Sequence, residues 1–317
     1  MPFLCLPRII IFLLHSLFSG SIPSFTAFLG RREAITLSNN LLTGTIPAKI
    51  PQQTDLFGGS VNPADFRMAT LDISQNLISG TIPPLVGFIP SLKYVDYSSN
   101  DLTGTLPQTL GRFGLMTKVE YISVANNQFE GPIVTLGYPE TTRHIDVSNN
   151  QKLEGGFPSF LLDYKALEYL DLSNNDFKGQ LPQNIGNLRS LLYFGAKDCG
   201  LSGSIPPSLG SLGQVTQVDI SGNALSSSIP SALGTMNSLR VFQANSNALT
   251  GSIPSEFASL KNLGEYSSMR KFSILSGRSN RSKSMRDAQR ANYVFPLKHQ
   301  NKFAFRIIEF RRESARR

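Results

Sequence analysis

Few residues of this 317-residue chain have a type and spacing that could do chemistry. Of its three histidines, only His144 has an acidic residue two positions away on the same face of a predicted strand, Asp146. A histidine oriented by a carboxylate can act as a general base, but no nucleophile is predicted beside this pair. The sequence contains no phosphate-binding loop, no His-Glu-x-x-His helix and no Gly-x-Ser-x-Gly elbow. It therefore predicts a protein that is not an enzyme and that uses no cofactor or metal.

Asp146 belongs to a set of recurring aspartates, termed here the aspartate column. Its members are Asp72, Asp96, Asp146, Asp171 and Asp219. Carboxylates repeated on one face could bind a basic ligand or a cation. The alternative is that Leu-Asp-Leu-Ser is ordinary repeat sequence, and both interpretations are open at this stage. We take Asp96, Asp146 and Asp171 as candidate ligand-binding residues.

The position two residues before the aspartate column is aromatic in five successive repeats. These residues, termed here the aromatic ladder, are Tyr94, Tyr121, His144, Tyr169 and Tyr193. Stacked parallel strands would hold their rings about 4.8 Å apart, as a ridge on one face of a sheet. Rigid rings with polar tips are favoured at binding hot spots, although neighbouring rings can also simply stabilise a sheet. The ladder is our main candidate for ligand binding.

These columns owe their spacing to an internal repeat. The phrase Leu-x-Gly-x-Ile-Pro, or a close variant, recurs with its third residue at Gly20, Gly44, Gly80, Gly104, Gly131, Gly155, Gly179, Gly203, Ser227 and Gly251. In the unit at residues 167–188, Leu170 and Leu172 alternate with polar residues, which predicts a strand with one buried face. Asn175 ends this strand, where its amide can satisfy backbone groups of adjacent coils. Apolar residues three positions apart then predict a short helical or 3-10 turn.

A single coil of this kind cannot bury its leucines alone, so successive coils must stack. The sequence therefore predicts an α/β fold, a right-handed solenoid of about ten repeats at residues 22–263. One parallel β-sheet would line its concave face, with short 3-10 or helical turns on the convex side. Cys199 takes the place of the stacked asparagine in one repeat, where we expect a small buried residue rather than a reactive thiol. A longer interval between repeats predicts a solvated insert near residues 51–66.

The segment Leu170-Asp-Leu-Ser-Asn-Asn-Asp-Phe-Lys-Gly-Gln-Leu-Pro182 resembles the 24-residue plant-type leucine-rich repeat. The resemblance covers residues 17–263 and is to the ectodomains of receptor-like proteins and receptor-like kinases, and to secreted polygalacturonase-inhibiting proteins. It implies a recognition module that binds a peptide or protein on its concave face. The alternatives are a secreted inhibitor of the polygalacturonase-inhibiting type and a truncated receptor fragment with only a structural role. Paired cysteine caps, a transmembrane segment and a kinase domain are not found in the sequence.

The first 21 residues fit two interpretations. Arg8, an apolar run and then small residues at 19–21 have the form of a signal peptide, with a run too short to span a membrane. Residues 17–23 also fit the repeat, as a degenerate first unit. A signal peptide would make the protein secreted or associated with the cell surface, whereas a first repeat would leave it cytoplasmic.

The basic charge of the chain is concentrated in residues 264–317. The whole chain has a formal net charge of +8, and this tail holds 14 Lys and Arg against 4 Asp and Glu. Its Ser- and Arg-rich composition predicts that it is largely disordered. Nucleic acid is disfavoured as a partner because the repeats themselves carry a slight negative charge, although the tail could contact anionic surfaces. The sequon at Asn280 would be a glycosylation site in a secreted protein.

Overall fold

A computed structural model describes residues 9–12, 17–22, 32–47, 67–111, 113–133, 135–263 and 272–273. These residues all belong to the first of two units, Met1–Gly277. The second unit, Arg278–Arg317, lies outside the described residues, as do the insert near residues 51–66 and the sequon at Asn280. The expectations for the insert, the sequon and most of the basic tail therefore stay predictions.

The main sheet is parallel and has 11 strands among the described residues. In chain order they are Ile9–Phe12, Arg32–Thr36, Thr70–Asp72, Tyr94–Asp96, Tyr121–Ser123, His144–Asp146, Tyr169–Asp171, Tyr193–Gly195, Gln217–Asp219, Val241–Gln243 and Phe272–Ser273. The middle residue of a strand, such as Leu170 or Phe194, is buried in the core, and the residue before it is only partly buried. This alternation confirms the predicted parallel sheet with one face on the core.

Most coils also contain a second short strand that the sequence analysis did not predict. Among the described residues these strands form three smaller parallel sheets, termed here the lateral sheets. Their strands are Ser19–Ser21 with Leu41–Thr43, then Ser79–Gly80, Asp101–Gly104, Gln128–Pro132 and Lys152–Glu154, and finally Ser202–Ser204, Ala224–Ser228 and Ala248–Thr250. The glycine of the repeat lies in or beside these strands, so it belongs to a short extended segment.

Every helix among the described residues is a 3-10 helix, and these helices lie in the segments that connect one strand of the main sheet to the next. They are Pro84–Phe88, Gln108–Leu110, Ser159–Asp163, Ile185–Asn187, Pro207–Ser211, Ser231–Thr235 and Ser255–Ser259. Each sends one or two apolar residues into the core, as Leu161 and Leu209 do. The predicted short turns are confirmed. No helix among the described residues is long and apolar enough to span a membrane.

Asparagines at the strand ends join most coils to the coil before them. The Nδ2 of Asn127 donates to the carbonyl oxygens of Val124 in its own coil, at 3.1 Å, and of Tyr97 in the preceding coil, at 2.9 Å. Its Oδ1 accepts from the backbone N of Leu102 at 3.0 Å. The amide therefore satisfies backbone groups that leave the sheet at the strand end, as predicted.

Cys199 occupies the asparagine position of its coil and is buried. Its Sγ lies 3.2 Å from the carbonyl oxygen of Leu172 in the preceding coil, so the thiol takes over part of the asparagine's role as a donor. Burial raises the pKa of the thiol to about 12. A buried thiol with so high a pKa is a poor nucleophile at neutral pH, in line with the structural role expected from the sequence.

Two strands of the main sheet lie near or beyond the predicted limits of the repeats. Ile9–Phe12 pairs with Arg32–Thr36, within the segment that also fits a signal peptide. At the other end, Phe272–Ser273 pairs with Val241–Gln243, beyond the predicted boundary at residue 263. The main sheet therefore continues for one strand after the last recognisable repeat.

Candidate functional site

The five residues of the aromatic ladder begin five consecutive strands of the main sheet and form one continuous stack. Ring centroids are 4.2 Å apart for Tyr94 and Tyr121 and 4.1 Å for Tyr121 and His144. They are 4.1 Å apart for His144 and Tyr169 and 4.5 Å for Tyr169 and Tyr193. Interplanar angles are between 9° and 15°. The structure thus brings together all five aromatic residues that the sequence analysis selected.

Face-to-face stacking decides which part of each ring is available to a ligand. The rings of Tyr121, His144 and Tyr169 have a neighbouring ring on both faces. The ring faces are therefore covered, and the ring edges are the parts that a ligand could reach. Stacking of this kind also stabilises the sheet, so the structural role considered from the sequence has direct geometric support.

The aspartates of the column also have a structural role at the strand ends. In Asp96, Asp146 and Asp171, Oδ1 accepts from the backbone N of the serine two residues later, each time at 2.9 Å. These bonds satisfy a backbone donor where the chain leaves the main sheet.

The other carboxylate oxygen can face the aromatic ladder. Tyr94 donates from its hydroxyl to Oδ2 of Asp96 at 3.1 Å, and Tyr193 donates to Oδ2 of Asp171 at 3.3 Å. The aromatic ladder and the aspartate column are therefore one hydrogen-bonded unit rather than two independent features.

The electrostatics of this unit are dominated by burial. Burial raises the pKa of Asp96 and Asp171 above the usual carboxyl value. It raises the pKa of Asp146 to about 6, with a further contribution from the charge of Asp171. Burial lowers the pKa of His144 to about 3, so this histidine is neutral at physiological pH.

The cations beside the unit are engaged by other acids. Lys93 pairs with Glu120 at 3.4 Å, and Arg143 pairs with Glu168 at 2.6 Å, in the positions just before the aromatic ladder. None of the ion pairs among the described residues involves the aspartate column. The aspartate column therefore has no cationic side chain paired with it among the described residues, an arrangement that favours a ligand that brings positive charge.

Gly195 is a residue of this site that the sequence analysis missed. It stands where most coils have an aspartate, and a Cβ there would lie 2.5 Å from Oδ1 of Asp171 and 2.9 Å from the hydroxyl of Tyr193. The absence of a side chain leaves room for these two groups to meet. The interruption of the aspartate column at this position was the signal that could have identified it.

The candidate general base and a metal site are not supported by contacts. Among the described residues, no hydrogen bond links the imidazole of His144 to Asp146. The imidazole instead lies between two tyrosine rings. Within the same part of the chain, no group of three or more His, Cys, Asp or Glu residues could hold a metal ion. The arrangement places ring edges, hydroxyl groups and carboxylates together on one face of the main sheet.

Comparisons with known proteins agree with this architecture. The family model described as Leucine Rich Repeat matches residues 91–113, 166–188 and 214–236. A TDR receptor is similar with a TM-score of 0.70 and 30% identity, over 80% of this chain and 41% of that one. The plant peptide hormone receptor RGFR1 in complex with RGF2 has a TM-score of 0.59 and 27% identity, over 77% and 44%. The chain therefore spans less than half the length of these receptors.

A plant ice-binding protein is also similar, with a TM-score of 0.57 and 26% identity, over 77% of this chain and 74% of that one. No curated protein matches the chain. Its repeats match the family model at three places and share their architecture with plant receptors. The chain is a leucine-rich-repeat protein of the plant type.

Proposed function

We propose that the chain is a non-enzymatic recognition module that binds a peptide or protein across the main sheet. The observation that carries the proposal is the aromatic ladder, in which five stacked rings present their edges on the sheet face turned away from the core. In leucine-rich-repeat solenoids this sheet lines the inside of the horseshoe. RGFR1, a peptide hormone receptor, is a structural neighbour that supports a peptide ligand.

The shape and charge of the site favour an extended chain as the ligand. The ladder crosses five strands about 4.8 Å apart, so it offers a ridge of about 20 Å rather than a closed pocket. The ring edges supply rigid contact area that loses little entropy on binding, and the carboxylates beside them favour basic groups. We propose Tyr94, Tyr121, His144, Tyr169, Tyr193, Asp96, Asp146 and Asp171 as its contact residues.

Selection of random dodecapeptides on the full chain tests this proposal. Tyr121→Phe removes a hydroxyl at the ladder edge but keeps the stacked ring, so the fold should be preserved. Together with Tyr169→Phe, it should weaken the binding of the selected peptides about tenfold, which corresponds to about 1.4 kcal/mol of binding free energy. Calorimetric titration measures this change.

The matched control is Tyr138→Phe, because Tyr138 is a half-buried tyrosine outside the ladder. If the selected peptides lose affinity for Tyr138→Phe but not for the ladder variants, the binding surface lies elsewhere and the proposal is rejected. Failure to select any peptide would favour the receptor fragment with only a structural role. Inhibition of a polygalacturonase by the chain would favour the secreted inhibitor.

We also propose that the protein acts outside the cell, since its structural neighbours include plant hormone receptors. Sequencing of the mature N-terminus tests this location. Cleavage near residues 19–21 would support secretion and would remove the strand Ile9–Phe12. An intact Met1 would support the alternative of a cytoplasmic protein whose first 21 residues form a degenerate repeat.

A second candidate function is binding to ice, and a strip of hydroxyl side chains on the lateral sheets favours it. Two such residues face solvent in each of several coils, and lateral pairing brings Thr45 beside Ser79 and Ser21 beside Thr43. A second strip places Ser228 beside Thr250. Parallel strands repeat these groups about every 4.8 Å, a regular array suited to a repeating surface. The similarity to a plant ice-binding protein supports this candidate.

Inhibition of ice recrystallisation by the full chain tests the second candidate. Thr81 follows the lateral strand Ser79–Gly80 and Thr103 lies in the lateral strand Asp101–Gly104, and both are exposed members of the first hydroxyl strip. Thr81→Lys and Thr103→Lys place charged side chains in this strip and should abolish the inhibition. Thr117→Lys, at an exposed threonine outside the strips, should leave it unchanged. A wild-type chain without any effect on ice growth rejects this function.

A further inference from the structure

The aromatic ladder has two ends, and they differ in what covers the last ring. Tyr193 is followed in the main sheet by Gln217, which has a long side chain. Tyr94 is followed by Thr70 and then by Ala34, which are both small. Among the aromatic contacts of the described residues, Tyr94 stacks on Tyr121 alone. The outer face of the Tyr94 ring therefore lies over short side chains and has no ring partner in the described part of the chain.

The space over Thr70 has the dimensions of one more step of the ladder. Successive rings are 4.1 Å to 4.5 Å apart, and the strands below them are spaced at about 4.8 Å. A planar group placed over Thr70 would stack on Tyr94 at the same spacing that the protein's own rings use. Thr70 itself is only partly buried, so this position is accessible from the sheet face.

The charges around this position select the kind of planar group. Asp72 lies on the strand of Thr70, and Asp96 lies on the strand of Tyr94. Asp72 is held in place by Ser74, whose backbone N donates to its Oδ1 at 3.0 Å. No ion pair among the described residues reaches either carboxylate. The face of a tyrosine ring also attracts cations.

We propose that the outer face of Tyr94, with Thr70 below it and Asp72 beside it, binds an arginine side chain of the peptide ligand. A guanidinium group is planar enough to continue the stack and carries donors for a carboxylate at its edge. A lysine ammonium lacks the plane, and an aromatic side chain lacks the charge. This inference rests on the proposed function, because it names a residue that the bound peptide carries.

Three probe peptides separate these contributions in titrations of the full chain. Triarginine has both the plane and the charge, tricitrulline has the plane without the charge, and trilysine has the charge without the plane. We expect triarginine to bind about tenfold more tightly than either of the others. Equal affinities for triarginine and trilysine would overturn the proposal.

Thr70→Tyr tests the position directly, because the new ring occupies the space over Thr70. Its own outer face would lie over Ala34 and beside Thr36, which carries no charge. The preference for triarginine should therefore be lost. Gln217→Tyr is the matched control, since it extends the other end of the ladder and should keep the preference. The melting temperatures of both variants show whether each remains folded. Asp72→Asn provides a further test variant that removes the carboxylate without adding bulk.

Failure of this inference can be distinguished from failure of the proposed function. If dodecapeptides selected on the wild type lose affinity in Tyr121→Phe but not in Thr70→Tyr or Asp72→Asn, the arginine site is wrong and the recognition surface stands. If triarginine loses affinity in Thr70→Tyr while the selected peptides are insensitive to the ladder, the arginine site stands and the wider surface is wrong.

Discussion

The hydroxyl of Tyr193 lies 3.3 Å from Oδ2 of Asp171 on the neighbouring strand of the main sheet. This contact joins the last ring of the aromatic ladder to the aspartate column. It depends on Gly195, because a Cβ there would lie within 3 Å of both groups. A substitution of Gly195, which has no side chain of its own, therefore tests the packing of the proposed recognition surface.

Gly195→Ala should destabilise the protein by about 1–3 kcal/mol, since the new methyl group displaces Tyr193 or Asp171 from a well-packed contact. The free energy of unfolding in urea measures the effect. Gly213→Ala is the matched control, because a Cβ at Gly213 meets no atom within 4 Å. Equal free energies of unfolding for the two variants would show that the contact between Tyr193 and Asp171 is loosely packed.

Ser227→Gly should stabilise the protein by about 0.5–1 kcal/mol. Ser227 has a φ of 67°, in the left-handed region, at the position that holds glycine in the other repeats. Relief of this strain should exceed the greater flexibility that glycine gives to the unfolded chain. Thermal unfolding followed by circular dichroism provides the measurement.

Gly179→Ala is the reverse substitution and the control for Ser227→Gly. Gly179 has a φ of 71°, and a Cβ there meets no atom within 4 Å. Any loss of stability must then come from the backbone, and we expect about 1 kcal/mol. A neutral Gly179→Ala together with a destabilising Ser227→Gly would contradict the explanation by backbone strain.

Tyr97→Phe should be neutral or stabilise the protein by about 1 kcal/mol. Tyr97 is fully buried, and its hydroxyl has no hydrogen-bond partner among the described residues. Removing an unsatisfied buried polar group relieves its desolvation cost. Tyr164→Phe should instead cost about 1 kcal/mol, because the hydroxyl of Tyr164 donates to the carbonyl oxygen of Leu136 at 3.0 Å. Urea unfolding of both variants would reveal the opposite order if the assignment of these hydroxyls is wrong.

The charge of Asp146 should make the fold less stable as the pH rises. Its pKa is raised from 3.8 to about 6 in the folded protein. Between pH 3.8 and about pH 6, the folded state therefore holds a proton that the unfolded state has lost. The stabilising contribution is complete below about pH 4 and disappears as the pH rises through about 6. His144 acts in the opposite direction, because its lowered pKa disfavours folding when the pH falls below the usual histidine value.

Asp146→Asn isolates the aspartate contribution, since it removes the titration and keeps an oxygen that can accept from Ser148. The difference in melting temperature between this variant and the wild type should grow in favour of the variant as the pH rises from about 4 through about 6, and should level off above that. Asp101→Asn, at an exposed aspartate, serves as the control for the substitution itself. A difference that is independent of pH would mean that Asp146 is not buried as described.

The sequence alone determined the stacking of the coils and the residues that share a column. Apolar residues at repeat spacing cannot be buried within one coil, so equivalent positions must lie side by side on successive strands. The intervals between Tyr94, Tyr121 and His144 differ in length, yet the three residues are in register in the main sheet. Loops between the strands absorb the difference, and the buried middle residues fix the register.

Only the tertiary structure decided how these columns interact. The sequence could not show that the rings stack face to face, that Tyr193 reaches Asp171, or that the hydroxyl of Tyr97 has no partner among the described residues. It also did not reveal the lateral strands. The physical reason is that ring orientation, hydrogen bonding and the cost of burying Asp146 depend on atoms from neighbouring coils, which are about 24 residues away in the chain and adjacent only after stacking.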